Sequence, residues 1–374
     1  MQTLKPFIHF KPFEVRQQRR RDTPFTPAAL FAASEPGVWL DPLDPATVFS
    51  DTAGTTQAQI GDPVALVLDK SKGLELGPEL ADGILDSTTN WTFLNDVTVT
   101  GGAIVFNDAP STSGMALYNP IVSVGKRYEI TFTVSGSGLV NFRVGSGGDV
   151  INSLSAGSYT LRGLAAGGTP TSIVFNGTAS AVSNFVGSIN NISVRELPGN
   201  HLLQTSATFR PTLNDGVILF DGGDDRLVSP YVSGTSGSLF ARFNGATASR
   251  VLLGAQPATD GRAFLGLDAS GRIAAGIGEQ ATGVIFAGPD LRDAWHIGGV
   301  TWDGTTVKLY LDGAEVYSEP QVGAVSGATP AMLGALNANG TAAAFWDGRI
   351  SNALAVDRPL TPAEITNLTN EWSA

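Results

Sequence analysis

The chain has 374 residues, of which 42% are hydrophobic and only 15% charged, and its formal net charge is −11. That length and apolar content allow two or three domains with substantial cores and exclude a disordered chain, while the scarcity of clustered Lys and Arg excludes a body built to grip nucleic acid. There is no cysteine, which excludes disulfides, thiolate metal sites and a cysteine nucleophile, and no apolar run approaches the roughly 18 residues of a helical membrane span.

The charge is unevenly placed. Residues 1–27 hold six basic residues against two acidic ones, which leaves −15 on the remainder. Residues 1–34 read as an arm, because Pro6, Pro12, Pro24 and Pro27 interrupt regular structure. The expected role is an anchor into another subunit or a larger assembly. Phe7, Phe10 and Phe13 would bury area there, and Arg19, Arg20 and Arg21 would pair charges. The arm lacks the apolar core of a secretory leader, and its basic cluster follows the apolar residues, so assembly in the cytoplasm is expected.

Residues 35–74 read as a short module. Trp39 and Leu40 begin a strand, Asp41-Pro42 and Asp44-Pro45 mark turns, and Val64 to Leu68 has the continuous apolar character of a buried strand. Residues 75–198 read as an all-β domain. Tyr128, Ile130, Phe132 and Val134 alternate with polar residues, and Ile189, Asn191, Ser193 and Arg195 alternate with Asn190, Ile192 and Val194. Pro198-Gly199-Asn200-His201 marks a junction, and residues 199–374 form a further β domain. Within it, Trp295 to Tyr317 reads as three strands joined at Asp303-Gly304 and Asp312-Gly313, pairs that tolerate the positive φ of tight hairpins. Val307, Leu309 and Leu311 should pack, leaving Lys308 and Tyr310 wet. Thr361-Pro362-Ala363-Glu364 is a capping box, so a short closing helix should bury Ile365, Leu368 and Trp372. The fold class is therefore all-β: two tandem antiparallel β-sandwiches with an N-terminal arm and a short C-terminal helix.

The Trp295–Tyr317 meander resembles the centre of the laminin-G-like (concanavalin A-like) jelly-roll family. Gly216 to Leu227 and Phe345 to Val356 resemble that family's early and last strands. Asn90-Trp91-Thr92-Phe93, Val124 to Tyr128 and Ile189 to Leu197 resemble jelly-roll carbohydrate-binding modules. Gly37 to Thr56, leading into Ile60 to Ser71, resembles a module that recurs in tailed-bacteriophage and prophage structural proteins ahead of β-sandwich domains. These resemblances imply a surface-exposed structural protein of a phage virion: a fibre, spike, collar or head decoration. Its partners would be other virion proteins, reached through the arm, and a host-surface glycan. Homo-oligomerisation, with a trimer as the family's common form, is implied in the same way. The alternatives are a bacterial adhesin or polysaccharide-binding protein and a polysaccharide-trimming glycoside hydrolase.

Catalysis finds little support. No Gly-x-Ser-x-Gly elbow comes with an assignable triad, and the Glu-x-Asp-x-x-Glu strand of related glucanases is absent. His9, His201 and His296 read as structural or surface residues, and the chain as a non-enzyme. The resemblance also implies a possible Ca²⁺, which prefers six to eight oxygens. Its candidate ligands are Asp221, Asp224, Asp225, Asn337 and Asn339, which read equally well as turn formers. Sugar platforms are commonly exposed aromatics. The candidates are Trp91, Tyr118, Tyr231, Trp302 and Trp346, whereas Trp295, at the start of the meander, reads as core.

Overall fold

The computed structural model describes residues 25–373, apart from residues 96, 110–114, 147, 149, 166, 169–170, 178–184, 246 and 281–283. The expected anchor residues Phe7, Phe10, Phe13, Arg19, Arg20 and Arg21 lie outside the described residues. The fold is all-β, with four sheets of eight, eleven, five and five strands and one C-terminal helix. The two larger sheets close on one core, which includes Phe220, Phe243, Leu265, Trp302 and Trp346. The two five-stranded sheets close on another, around Phe106, Phe132, Phe142 and Phe175. The named strands pair antiparallel, save Ala255–Gln256 beside Asn337–Ala338.

The segment 35–74 supplies strands to both sheets of the C-terminal sandwich. Gly37–Leu40 pairs with the strand Asp347–Val356 in the eight-stranded sheet. Val48–Phe49 and Leu66–Val67 join the eleven-stranded one. The chain then departs, builds the smaller sandwich from strands between Trp91 and Glu196, and returns at Leu202–Leu203, which pairs with Val67 and Leu66. The continuous burial of Val64 to Leu68 follows: this segment lies inside a sandwich.

Asp69 and His201 secure the crossing of the departing and returning chains. The fully buried Asp69 carboxylate accepts hydrogen bonds from the backbone N–H of Trp39, Ser71 and Asn200 and from the Ser71 hydroxyl. The His201 Nδ1 accepts the Asp69 N–H at 2.9 Å. Burial pushes the His201 ring down to about 4, against the pull of the Leu197 carbonyl, so the ring is neutral and serves the backbone.

The meander forms as its turns predict. Asp312 and Gly313 both take positive φ, and Leu311 pairs directly with Ala314 across a two-residue turn. Tyr310, expected to be wet, is buried. It packs with Phe240, Ile297 and Leu354 beneath the helix Pro362–Ser373, whose Ile365, Leu368 and Trp372 enter the same cluster. The capping box is formed: Glu364 accepts the Thr361 N–H at 2.8 Å, and the Thr361 hydroxyl accepts the Glu364 N–H at 3.3 Å. Arg358 ties this helix to Glu35 and to the Leu30 carbonyl, fixing the turn Pro27–Phe31 against the same face.

In the smaller sandwich the alternation from Ile189 breaks. Asn191 takes φ 53, and the register against Arg127–Ser137 shifts between Asn190 and Ser193. The bulge lets Ile189 and Val194, five residues apart, both face the core.

Candidate functional site

Four of the five aromatics expected as sugar platforms are core residues. Trp302 and Trp346 are 0% exposed. The Trp302 ring lies where a Cβ on Gly237 would come within 2.3 Å, and the Trp346 ring packs against Gly245 and edge-on to Phe243. Tyr231 is buried with its hydroxyl on Asp357 at 2.6 Å. Trp91 is buried, with its indole N–H on the Ile84 carbonyl at 2.7 Å. Tyr118 is half-buried, edge-on to Trp91. Trp295, expected as core, is 37% exposed, and the Arg242 guanidinium lies over its ring at 4.8 Å. The reason is strand alternation: Trp302 falls on the sandwich face of its strand, whereas Trp295 sits at the strand's exposed start.

Asp221, Asp224 and Asp225 come together, each offering a carboxylate oxygen within 4.8 Å of the others. Asp221 ends the strand Val217–Asp221 and accepts the backbone N–H of Gly223 and Asp224. Asp225 turns back to accept the Asp221 N–H. Burial first, and then the charges of Asp221 and Asp224, push the Asp225 carboxyl up to about 6. Three carboxylates with mutual repulsion to relieve suit a hard divalent cation. Asn337 is differently employed. Its amide donates to the Pro330 carbonyl and accepts the Gly340 N–H, so it holds a turn. Asn339 is exposed with φ 51, as a turn residue.

One cleft among the described residues was not anticipated from the sequence. It has a volume of about 410 Å³, within the range of small-ligand sites. It lies on the outer face of the eight-stranded sheet, beside the C-terminal helix. Trp39 and Asp41 come from the N-terminal segment, Arg242 from Gly237–Gly245, Asn352 from Asp347–Val356, and Trp372 and Glu371 from the helix; Pro27, Leu43 and Asp44 complete the lining. In Gly237–Gly245, Leu239, Ala241 and Phe243 face the sandwich core, so Phe240 and Arg242 face outward. Phe240 lies under the helix, and Arg242 lies in the cleft.

A hydrogen-bond relay crosses the cleft floor. Arg242 donates to the Ser351 hydroxyl at 3.3 Å, Ser351 to the Asn352 side-chain Oδ1 at 3.0 Å, and the Asn352 side-chain amide to Asp41 at 3.3 Å. Lys70 then bridges Asp41 and Asp44 at 2.8 and 2.9 Å while lying over the Trp39 ring. Ser351 is the extra residue of a bulge against Gly237–Gly245, which brings Asn352 opposite Arg242. Neither Arg242 nor Asn352 was expected from the sequence; the signal that could have found them is a polar residue set in a buried-type strand, as in Leu-Phe-Ala-Arg-Phe and Ile-Ser-Asn-Ala-Leu.

His296, half-buried, has its Nδ1 at 2.9 Å from Asp312, at a strand end away from this relay. Among the described residues no helix is long and apolar enough to cross a membrane.

No curated protein matches the chain. Among solved structures, the chain is similar to the CBM40 of Ruminococcus gnavus IT-sialidase bound to α2,3-sialyllactose, with 17% identity, a TM-score of 0.32, and coverage of 37% of this chain and 84% of that one. It is similar to the NanB sialidase of Streptococcus pneumoniae, with 20% identity, a TM-score of 0.30 and coverage of 36% of this chain and 24% of that one. It is also similar to a heptameric SAP-like pentraxin from Limulus polyphemus, with 13% identity, a TM-score of 0.35 and coverage of 41% and 81%. Residues 221–366 match the family model Laminin_G_3, described as the Concanavalin A-like lectin/glucanases superfamily, so the C-terminal sandwich carries a jelly-roll domain of that kind.

Proposed function

We propose that this chain is a non-catalytic glycan-binding protein displayed on a tailed-phage particle, and that the cleft between Trp39, Arg242, Asn352 and Trp372 is where the sugar sits. The cleft carries this reading: it is a concave site of about 410 Å³ that combines indole walls with a planar cation, an amide and carboxylates on one hydrogen-bond relay. A polyhydroxylated ligand needs that mixture of donors, acceptors and apolar surface. The match of residues 221–366 to a lectin-containing superfamily supports the same reading. Asp41 and Asp44 share the Lys70 ammonium, so both are engaged in holding the cleft together, which suits binding better than hydrolysis. Support for the virion comes from the resemblance of residues 37–71 to phage modules; Trp39, Asp41, Leu43 and Asp44 of the same stretch line the cleft. Residues 1–34 would then attach the protein to other virion proteins, as an oligomer.

The test is glycan-array screening followed by calorimetry on the whole chain and on Arg242→Ala. Saccharide binding by the parent that falls at least tenfold in the variant supports the assignment. A folded parent that binds no saccharide overturns it. Gold labelling of purified particles with an antibody to residues 202–374 tests the address: label on particles supports a virion protein, and label confined to cells or medium overturns it in favour of an adhesin.

A further inference from the structure

We infer that the outer-face cleft selects an N-acylated amino sugar, whose acyl carbonyl accepts from Arg242 and whose amide N–H donates to Glu371. This rests on the glycan-binding reading and deepens it. The argument begins with hydrogen-bonding capacity already spent within the cleft. Asp41 accepts from Lys70 and Asn352, and Asp44 accepts from Lys70 and the Ala46 N–H. Both acids, and the Asn352 side-chain oxygen, are thus already engaged within the protein.

The unspent capacity lies on the donor side. Arg242 has five N–H donors, makes one side-chain hydrogen bond, at 3.3 Å to Ser351, and forms no ion pair among the described residues. Its orientation is nevertheless fixed by the Trp295 ring beneath it. Trp39 and Trp372 also line the cleft, but their indole N–H groups are buried, so the free donors are those of Arg242. A ligand that matches this cleft must bring acceptors.

Charge then decides which acceptor. The lining holds three carboxylates, Asp41, Asp44 and Glu371, against one guanidinium, and the adjacent Lys70 balances only one of them. A sugar carboxylate would be held by Arg242 but repelled by that excess. A free amino sugar would suit the charge, but its ammonium has no acceptor to offer the Arg242 donors. A neutral carbonyl satisfies both conditions. Glu371 is exposed and is the carboxylate of the lining with no hydrogen-bond partner among the described residues. The free Arg242 donors beside an unpartnered Glu371 acceptor complement a secondary amide. The remaining lining explains the acyl group: Pro27 and Leu43 are apolar, and Leu43 is 51% exposed, so a methyl packed there would be covered.

The experiment is calorimetric titration of the full chain with four monosaccharide probes and their short oligomers: N-acetylglucosamine, glucosamine, glucose and glucuronic acid. The expected result is affinity for the N-acetylated probe at least tenfold above each of the others. Arg242→Ala should remove that preference. Glu371→Ala, on an exposed helix position, should weaken the N-acetylated probe severalfold and by a larger factor than glucose. Equal or tighter binding of glucose or glucuronic acid, or a preference indifferent to both substitutions, overturns this inference while leaving glycan binding intact. Failure of a folded chain to bind any saccharide overturns the parent reading and this one together.

Discussion

The two sandwiches differ in what covers them. The smaller one is a plain two-layer structure. Its strand Arg127–Ser137 alternates between buried and partly exposed positions, and its core is a cluster of Phe132, Phe142 and Phe175 with ring centroids 4.9–5.1 Å apart. The larger sandwich has a third layer over one sheet. Strands such as Gly37–Leu40 are buried on both faces, because Trp39 and its neighbours pack under the helix Pro362–Ser373 and the turn Pro27–Phe31. The cleft lies where that layer ends. Outward-facing residues under the helix are apolar, and those just beyond it, Arg242 and Asn352, are polar but shielded. A partly covered sheet thus provides a walled site that a bare sheet does not.

The sharpest way to break this comparison is to damage each core separately. Trp346→Ala should cost the larger sandwich about 3–5 kcal/mol, and Phe132→Ala should cost the smaller one about as much. Both residues are fully buried in separate clusters. Calorimetry should show each variant lowering a different unfolding transition. If both variants move a single transition together, the sandwiches unfold as one unit and the comparison loses its energetic meaning.

Next in size is a pH effect at the crossing between them. His201 titrates at about 4 when folded against 6.5 in the open chain, so the unfolded state takes up its proton first. The stability from keeping this ring neutral is complete above pH 6.5 and is lost as pH falls toward 4, with a ceiling of about 3 kcal/mol. His201→Gln should lower stability at pH 7 and flatten the slope between pH 6.5 and 4. An unchanged slope, measured by denaturant unfolding, would mean that His201 does not govern it.

A smaller effect is expected at the acid cluster, which belongs to the larger sandwich alone. Asp225 titrates at about 6 in the fold, above the ordinary 3.8. Its contribution is therefore complete below pH 3.8 and lost as pH rises through 6, leaving mutual repulsion at neutral pH. Ca²⁺ at ten times its Kd should restore about 1.4 kcal/mol, and this gain should fade below pH 6. Asp225→Asn should raise the melting temperature without the cation and abolish the response to it. A melting temperature unmoved by Ca²⁺ or by chelator would leave the three aspartates as turn residues.

What the sequence disclosed depended on distance along the chain. The capping box at Thr361 and the turn at Asp312-Gly313 are set by neighbouring residues, and both form as read. The pairing of Leu202 with Val67 joins residues on either side of an entire sandwich, so no local pattern reveals that residues 35–74 complete the C-terminal fold. Trp295 and Trp302 are equally aromatic and lie on one strand. Which of them is buried depends on where the core and the helix lie, and that is a tertiary fact. The cleft is the extreme case, drawing Trp39, Arg242, Asn352 and Trp372 from four distant segments.

The smallest effect tests the third layer itself. Thr361→Ala removes one half of the capping box and should cost about 1 kcal/mol, felt only in the transition assigned to the larger sandwich. Glu364 would keep its ion pair with Arg358, so the helix should remain docked but fray at its start. Trp372 lies at the far end of that helix, against the cleft. The tryptophan emission of the chain, to which Trp372 contributes as one of six, should therefore stay near that of the parent while stability falls. A large spectral change would show that the whole helix had lifted, and the cleft wall would then depend on a single cap and not on the packing of Ile365 and Leu368.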